Sequence, residues 1–295
     1  MKSGTRRKLT SSAVSADDFL SGESGHVAGI RAVTTNTLSD RLLDLRLALG
    51  SAGRAARRAS GPPRRVLVAG IYGNDAARMA SVADEVRSSS HKVDIVLGAR
   101  GAAAAPLAGV TAADHLRGGK FENLNAVLAG RDLSRYDWLI AVDDDILLPR
   151  RFLDRFIAIC EALEFGMAQP AQTRRSHAAW RVTRRCGGLV ARQTHFVETG
   201  PVTAFRSDVV AELVPFPPLR YGWGLDVHWA ALAKEHGWRQ GIVDALPVRH
   251  DSVPVASGYS HEGAVAQARE FLRERPYIPA EEAQQTVARH ADLPR

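Results

Sequence analysis

Short apolar runs alternate with amphipathic segments along the chain from residue 66 onward. The candidate buried strands are residues 66–69, 93–97 and 138–142. Helical spacing of apolar residues is found around Met79, Val82 and Val86, in residues 120–128, and in the stretch after Pro149. Because strands and helices alternate, the pattern predicts an α/β fold in which helices cover a mainly parallel sheet.

The pattern becomes mixed after about residue 166. It predicts short strands near 166–169, 195–205 and 240–250, and helices near 207–214 and 225–236. Two C-terminal helices are expected near 262–274 and 280–290. We therefore predict one main domain over residues 66–255, followed by C-terminal helices in residues 256–295.

The N-terminal part has a different pattern. Residues 1–36 are polar and lack periodicity, so we expect a disordered tail there. Residues 37–65 are expected to hold a short amphipathic helix and a linker that begins at Ser51. The helix is predicted from leucines at helical spacing, namely Leu38, Leu42, Leu45 and Leu49. It could dock on the core, pair with a second copy, or lie on an anionic membrane, and docking is the favoured interpretation.

Charge divides the chain in the same way. The 295 residues carry a formal net charge of +7. Residues 1–65 hold 12 Lys/Arg and 5 Asp/Glu, whereas residues 66–295 hold 27 of each. The neutral main domain is therefore not expected to bind nucleic acid. The basic N-terminal segment leaves open a weak peripheral contact with a membrane.

Cysteine content and hydropathy suggest a cellular location. Two cysteines exclude a disulfide framework and fit a reducing compartment. No apolar run approaches the roughly 18 residues that a membrane span needs. We expect a cytoplasmic protein, with peripheral contact at the inner face of the membrane as an additional option.

Three successive aspartates, Asp143, Asp144 and Asp145, follow the apolar run at 138–142. Ligands of open parallel sheets bind at the carboxyl ends of strands. If the backbone stays extended, Asp143 and Asp145 face the same way and could share one Mg²⁺ or Mn²⁺ ion. Such an ion could neutralise a diphosphate leaving group. The alternative interpretation is an acidic turn that caps the next helix.

Two further segments could face a phosphate. Lys120 follows a pair of glycines at a predicted helix start, and Asn125 lies in the same helix. A glycine turn with a solvated lysine is equally consistent with that pattern. Residues 166–196 contain no acid but six arginines, which suit diphosphates or a solvated strand pair; they are Arg174, Arg175, Arg181, Arg184, Arg185 and Arg192.

A second cluster of candidates lies near the C-terminus. Trp223, between two glycines, could stack on a sugar or a base, and Asp226 could act as general base. The alternative is a helix-capping aspartate beside a core tryptophan. His250 could be a third metal ligand, which would favour Mn²⁺, although a single histidine is usually structural. Glu198 is the next candidate for the base.

Taken in order, these motifs resemble those of GT-A fold glycosyltransferases, in particular family 2 glycosyltransferases. The resemblance rests on the segment from Lys120 to Asn125, the Asp-x-Asp of Asp143 and Asp145, the segment from Gly200 to Arg206, the Gly-Trp-Gly-Leu-Asp that ends at Asp226, and His250. It covers roughly residues 65–255. Residues 167–170, 195–198, 222–226 and 241–244 also resemble a plant and bacterial glycosyltransferase-like family of unknown function.

The resemblance implies a GT-A (Rossmann-like) sheet, mixed and mainly parallel, flanked by helices. It implies that Asp143, Asp145 and His250 hold the metal, and that Asp226 activates the acceptor. The residues implied to bind the nucleotide-sugar donor are Lys120, Asn125, Asp143, Asp144, Asp145 and Trp223. Family 2 enzymes usually have an acidic residue after the second strand, where this chain has Gly98-Ala99-Arg100, so the nucleotide stays open.

The predicted activity is the metal-dependent transfer of a sugar from a nucleotide-sugar donor to a hydroxyl of a carbohydrate or other acceptor. A base opposite the leaving group implies in-line displacement with inversion. One alternative is a metal-dependent phosphatase or nucleotidyltransferase on a similar sheet. However, Leu147 stands where haloacid-dehalogenase-type phosphatases have Thr or Val. The other alternative is a non-catalytic module that binds carbohydrate or nucleotide.

Overall fold

The computed structural model describes residues 14–21, 27, 29–73, 75–250 and 260–294. Within these ranges the helices are α1 (Ile30–Leu49), α2 (Ser51–Arg58), α3 (Ala76–Arg87), α4 (Lys120–Leu128), α5 (Phe152–Ala162), α6 (Ser207–Leu213), α7 (Leu225–His236), α8 (His261–Leu272) and α9 (Ala280–Ala283). The strands are β1 (Arg65–Tyr72), β2 (Lys92–Ala99), β3 (Thr111–Ala113), β4 (Trp138–Asp143), β5 (Ile146–Leu147), β6 (Phe165–Gln172), β7 (Ala191–Thr194), β8 (Val202–Arg206), β9 (Arg239–His250) and β10 (Thr286–His290).

These strands form one mixed sheet in the order β10-β7-β9-β6-β8-β4-β1-β2-β3, and β5 pairs separately with β9. The half made of β4, β1, β2 and β3 is parallel, as the alternation of strands and helices predicts. β8 enters antiparallel beside β4, and β6 lies antiparallel to β8. The expected α/β fold with a mixed sheet flanked by helices is confirmed.

Helices bury apolar side chains against both faces of the sheet. On one face, α4 and α7 contribute Phe121 and Trp229, whose rings meet edge-to-face at 5.4 Å. On the other face, α3 and α5 contribute Met79, Phe152 and Phe156. The two apolar layers fix the sheet between them, so the carboxyl ends of β1, β2 and β4 lie at one edge.

The N-terminal segment is more ordered than the sequence predicts. α1 begins at Ile30, seven residues before the expected start, and α2 occupies residues 51–58, where a linker was expected. Phe19 belongs to the segment in which the polar sequence predicted a disordered tail. Its side chain is instead 2% exposed and packs in the core. The linker prediction is wrong because α2 docks through small residues, Ala52 and Ala56, which give no leucine-like periodicity. Residues 1–13 lie outside the described residues.

α1 docks on the core, as favoured, through the side that carries Asp40, Asp44 and Leu47. The Asp40 carboxylate accepts hydrogen bonds from the backbone N–H groups of Arg174 and Arg175, at 2.9 and 3.1 Å. Asp44 forms an ion pair of 2.7 Å with the buried Arg185. This docking leaves the leucine face exposed. The apolar spacing therefore located the helix but did not indicate which side docks, because that depends on distant N–H and guanidinium groups that need acceptors.

The C-terminal part also departs from expectation. α8 matches the first predicted helix, but the second ends at Ala283 after four residues. Residues 286–290 form β10, which extends the sheet by pairing antiparallel with β7. An open strand edge binds any chain that can supply backbone groups, and this overrides weak helical spacing. The predicted domain boundary at residues 255 and 256 lies outside the described residues.

No helix within the described ranges combines the length and the hydropathy that crossing a bilayer requires.

Asp40→Ala should lower the free energy of unfolding by about 1–3 kcal/mol, because two backbone N–H groups lose their buried acceptor. Urea unfolding followed by circular dichroism measures this change. The matched control is Asp84→Ala, which breaks an exposed ion pair with Arg87 on α3 and should change stability by less than about 0.5 kcal/mol. Equal effects of the two substitutions would show that α1 does not contribute to the stability of the core.

Candidate functional site

The carboxylate cluster lies at the end of β4, held between two neighbouring strands. Asp143 is in register with Ile71 of β1, and its N–H donates to the Pro201 carbonyl at 2.9 Å. After Asp143 the chain leaves the extended conformation and turns through Asp144 and Asp145. The alternation that would aim Asp143 and Asp145 the same way therefore does not apply.

A short strand then brings His250 to the cluster. β5 pairs antiparallel with the end of β9, so that Ile146 lies opposite His250. This pairing places the His250 Nε2 atom 3.0 Å from the Asp145 Oδ2 atom. The sequence predicted this proximity across more than a hundred residues. It did not predict β5, because two residues carry no strand signal.

Each aspartate has a different partner. Asp143 Oδ1 pairs with the Lys120 ammonium at 2.6 Å, and Asp144 Oδ2 accepts from the Gly73 N–H at 2.7 Å. Asp145 pairs with His250. Of the predicted metal ligands Asp143, Asp145 and His250, the structure therefore brings only Asp145 and His250 into direct contact. Among the described residues, no three His, Cys, Asp or Glu side chains are arranged as a metal site.

The electrostatics of the cluster are those of crowded negative charge. Burial raises the pKa of Asp144, and the charges of Asp143 and Asp145 raise it further. For His250, burial alone would lower the pKa, but the hydrogen bond and charge of Asp145, with the charges of Asp143 and Glu198, raise it overall. Carboxylate oxygens and an imidazole under excess negative charge fit a divalent cation.

The cluster opens into a cavity of about 320 Å³ at the carboxyl ends of β1, β2 and β4. The described residues that line it are Ile71, Gly73, Arg100, Lys120, Asp143, Asp144, Asp145 and His250. Arg100 follows β2 and adds a second cation opposite the carboxylates. In the sequence, Arg100 stands out only because family 2 glycosyltransferases usually have an acidic residue after the second strand. Its position shortly after the predicted strand at 93–97 was the signal that could have placed it in the site.

Lys120 and Asn125 lie on the same helix, α4, but contact different parts of the structure. Gly119 allows α4 to start close to the main chain at Arg220, because a Cβ there would lie 2.0 Å from the Arg220 oxygen. Lys120 therefore reaches both Asp143 and the Thr199 carbonyl, the latter at 2.7 Å. Asn125 instead bonds to the backbone N–H and carbonyl of Phe216, at 2.9 and 2.7 Å. Asn125 is thus a structural clamp and does not line the cavity.

Gly200 is required for the ion pair beside it. A Cβ on this residue would lie 2.6 Å from Asp143 Oδ2 and 3.0 Å from Lys120 Nζ. Gly200 is therefore a point of close backbone approach, where a side chain would not fit. It allows the β8 side of the site to close over the Lys120–Asp143 pair.

Asp226 is not the helix cap that the alternative interpretation suggested. Gly224, with a positive φ of 81°, is the N-cap residue of α7, and Asp226 lies in the first turn. Its Oδ1 atom accepts from the Val227 N–H at 2.9 Å. Burial raises the pKa of Asp226 to about 7, against the opposing effect of backbone hydrogen bonds. A carboxylate with a pKa near neutrality can take a proton at physiological pH.

Glu198 links Asp226 to the carboxylate cluster. Burial raises its pKa to about 8, and the charge of Asp226 raises it further, whereas His250 opposes the shift. Its Oε2 atom accepts from the Gln172 amide at 2.8 Å. Because Glu198 responds to both His250 and Asp226, the two groups of candidate residues share one electrostatic environment. Burial therefore favours the protonated form of both carboxyl groups near neutral pH.

The remaining candidates, like Asp226 and Glu198, are not among the described residues that line the cavity. Trp223 is half-buried and packs edge-to-face on His261 at 5.0 Å. Of the six arginines, Arg185 and Arg192 are buried in ion pairs with Asp44 and Asp244, at 2.7 and 2.8 Å. These two guanidiniums hold parts of the fold together, so a diphosphate is not their partner.

The fold can be compared with solved structures. The protein is similar to the mannosyltransferase PcManGT from Pyrobaculum calidifontis in complex with GDP-Man and Mn²⁺, with a TM-score of 0.51 and 18% identity over 86% of this chain and 79% of that chain. GalNAc-T7 with UDP, GalNAc and Mn²⁺ gives 0.48 and 12%, over 71% and 47%. S. aureus TarS 1–349 in complex with UDP-GlcNAc gives 0.46 and 11%, over 66% and 62%.

The likeness to PcManGT shows a GT-A-type glycosyltransferase fold, which confirms the fold that the resemblance in sequence implied. The other two likenesses fall below a TM-score of 0.5 and add no weight. No family model matches the sequence, and no curated protein matches it.

Asp226→Asn should change how stability depends on pH. The pKa of this carboxyl group rises from 3.8 to about 7 on folding, so the folded state binds a proton that the unfolded state has released. The parent therefore loses stability as pH rises from about 4 to about 7, by up to about 4 kcal/mol relative to the variant. Urea unfolding across this range, with a metal chelator present, measures the difference.

The control for this experiment is Asp208→Asn. The Arg206 side chain lowers the pKa of Asp208, so that group contributes stability above its unfolded pKa and loses it as pH falls. The difference in unfolding free energy between the parent and Asp208→Asn should therefore decrease as pH falls, and this decrease should occur below about pH 4. A constant difference for Asp226→Asn across the whole range would show that folding does not raise the pKa of Asp226.

Proposed function

We propose that this protein transfers a sugar from a nucleotide-sugar donor to a hydroxyl acceptor with the help of Mn²⁺ or Mg²⁺. The observation that carries the proposal is the cavity at the carboxyl ends of β1, β2 and β4, where three carboxylates meet Lys120 and Arg100. In a GT-A-type fold, this edge of the sheet is where a ligand is expected. The GDP-Man and Mn²⁺ bound to PcManGT support the choice of donor class and cation.

Asp145 and His250 are the residues that would hold the cation. Their side chains already lie within 3.0 Å of each other, and a carboxylate with an imidazole favours Mn²⁺ over Mg²⁺. The bound cation would supply positive charge to the diphosphate leaving group. Asp143 contributes to the same negative potential but is held by Lys120.

Lys120 and Arg100 would bind the donor phosphates. Lys120 is a mobile point charge shared between Asp143 and the Thr199 carbonyl, so it can turn toward a phosphate oxygen when one enters. The Arg100 guanidinium offers a planar fork that suits two phosphate oxygens. Both cations lie on the cavity wall, which directs the diphosphate toward the carboxylate cluster.

Asp226 would act as the general base. The acceptor O–H bond breaks, its proton passes to the Asp226 carboxylate, and the acceptor oxygen forms a bond to the anomeric carbon. The bond from that carbon to the diphosphate oxygen breaks, and the electron pair leaves with the diphosphate. Glu198 stays protonated beside Asp226, which keeps a second negative charge away from the base. This arrangement predicts in-line displacement with inversion.

Asp145→Asn should abolish the Mn²⁺-dependent part of nucleotide binding, because it removes one of the two ligands and leaves His250 without its carboxylate. The measurement is a thermal-shift panel of nucleotide sugars with and without Mn²⁺. Asp84→Asn, on the exposed surface of α3, is the control and should shift like the parent. A full Mn²⁺-dependent shift in the Asp145 variant would exclude Asp145 as a ligand.

Asp226→Asn should lower turnover by roughly 10²–10⁴-fold while donor binding changes little, since general-base catalysis contributes about that much. The assay follows nucleoside diphosphate release in the presence of acceptor hydroxyls. Turnover of the Asp226 variant close to that of the parent would make Glu198 the candidate base instead.

The same assay of the parent protein tests the alternative functions. Release of inorganic phosphate by the parent would indicate a phosphatase, and donor binding without turnover would indicate a non-catalytic module.

A further inference from the structure

α1 carries an exposed apolar face that the fold does not use. Seven large apolar side chains of the described residues are exposed, and five of them lie on α1. Their exposed fractions range from 55% to 87%. We call this face the leucine stripe, and its members are Ile30, Leu38, Leu42, Leu45 and Leu49. A stripe of this size on a helix that is already docked marks a surface for another partner.

The docking of α1 fixes the direction in which the stripe points. Asp40 and Leu47, on the opposite side of the helix, are engaged with the core. The four leucines follow a spacing of four, three and four residues, which makes one row along about three helical turns with a heptad-like pattern. The row is therefore rigidly presented outward, and no rearrangement of α1 is needed to expose it.

Arginines flank the leucine stripe on both sides. Arg41 and Arg46 are exposed and occupy the positions beside the row. From α2, Arg54 and Arg57 fold back onto the end of α1, where they donate to the carbonyls of Leu49 and Ala48 at 2.7 and 3.0 Å. Arg41 and Arg46 thus border the apolar row on its two sides, and Arg54 and Arg57 add positive charge at its C-terminal end.

Negative charge on this helix is already neutralised. The acidic residues of α1 are Asp40 and Asp44. Asp40 is buried, and Asp44 pairs with Arg185 at 2.7 Å. The exposed surface of α1 therefore combines apolar side chains with net positive charge, which complements a surface that is apolar inside and anionic at its rim.

A second copy of the chain fits this surface poorly. In a parallel helix pair, Arg41 of one copy would face Arg46 of the other across the leucine row, and an antiparallel pair would again bring one cationic border against another. Like charges at these positions destabilise helix pairs. The same borders strengthen contact with anionic lipid headgroups, because each arginine is attracted and its stem can cover apolar surface.

We propose that the leucine stripe and its arginine border form a docking surface for an anionic lipid membrane. The leucines enter the boundary between headgroups and acyl chains, and the four arginines contact the headgroup phosphates. This inference is independent of the proposed transferase activity, because none of its residues lines the cavity.

The test is co-sedimentation of the full-length protein with vesicles. Vesicles of equal parts phosphatidylglycerol and phosphatidylcholine should bind the parent at least about tenfold more tightly than vesicles of phosphatidylcholine alone. The double variant Leu42→Gln/Leu45→Gln should bind at least about tenfold more weakly, since two apolar side chains are lost from the interface. Arg41→Gln/Arg46→Gln should weaken binding about fivefold for each arginine.

Val287→Gln is the matched control, since it replaces an exposed apolar residue on β10 and should bind like the parent. Circular dichroism checks that all variants are folded, and the substituted side chains are exposed. Sedimentation velocity without lipid tests the second copy. If two copies pair through the stripe, the leucine variant becomes monomeric and the arginine variant pairs more strongly. Either result, or parent-like vesicle binding by the leucine variant, would overturn the proposal.

Discussion

The candidate site depends on one short pairing, in which Ile146 and Leu147 lie opposite His250 and Arg249. This two-residue contact ties the turn after β4 to the far end of β9. β4 is itself fixed by β1 on one side and β8 on the other, so the carboxylates have little freedom to move apart. The sheet therefore forces three like charges together at its edge, and the surrounding residues have to compensate for that repulsion.

The compensation is divided among separate partners. Lys120 neutralises Asp143, a backbone N–H supports Asp144, and His250 shares a hydrogen bond with Asp145. The pairing removes part of the repulsion, and the remaining negative potential adds to the effect of burial in raising the pKa of Asp144 and outweighs burial in raising the pKa of His250. A cation that enters such a site gains from the residual charge and from a preformed ligand pair. Lys120 and Arg100 lie on the wall of the same cavity, where they would hold an anion next to that cation.

Burial has a second effect, on two carboxyl groups outside the lining of the cavity. Asp226 and Glu198 lie in a region where desolvation raises the pKa of each carboxyl group, to about 7 and about 8. An exposed pair of carboxylates would both be ionised at neutral pH and would be weak bases. Here burial favours the protonated form of both groups near neutral pH, and the proposed role of Asp226 as a base depends on that shift. This requires the fold to exclude water, which the packing of α7 against the aromatic core does.

The sequence alone determined the elements whose signals are local. Apolar runs and helical periods located β1, β2, β4, α3 and α4, because burial on a sheet or helix face acts over a few residues. The three aspartates after β4 indicated a site because adjacent like charges repel each other and need a partner that compensates for the repulsion. Tertiary structure decided the rest: which side of α1 docks, that residues 286–290 join the sheet, that Asn125 is a clamp, and that Asp143 pairs with Lys120. Each of these depends on a partner far away in the chain, and the free energy of such a contact is set by position in space, which local patterns do not encode.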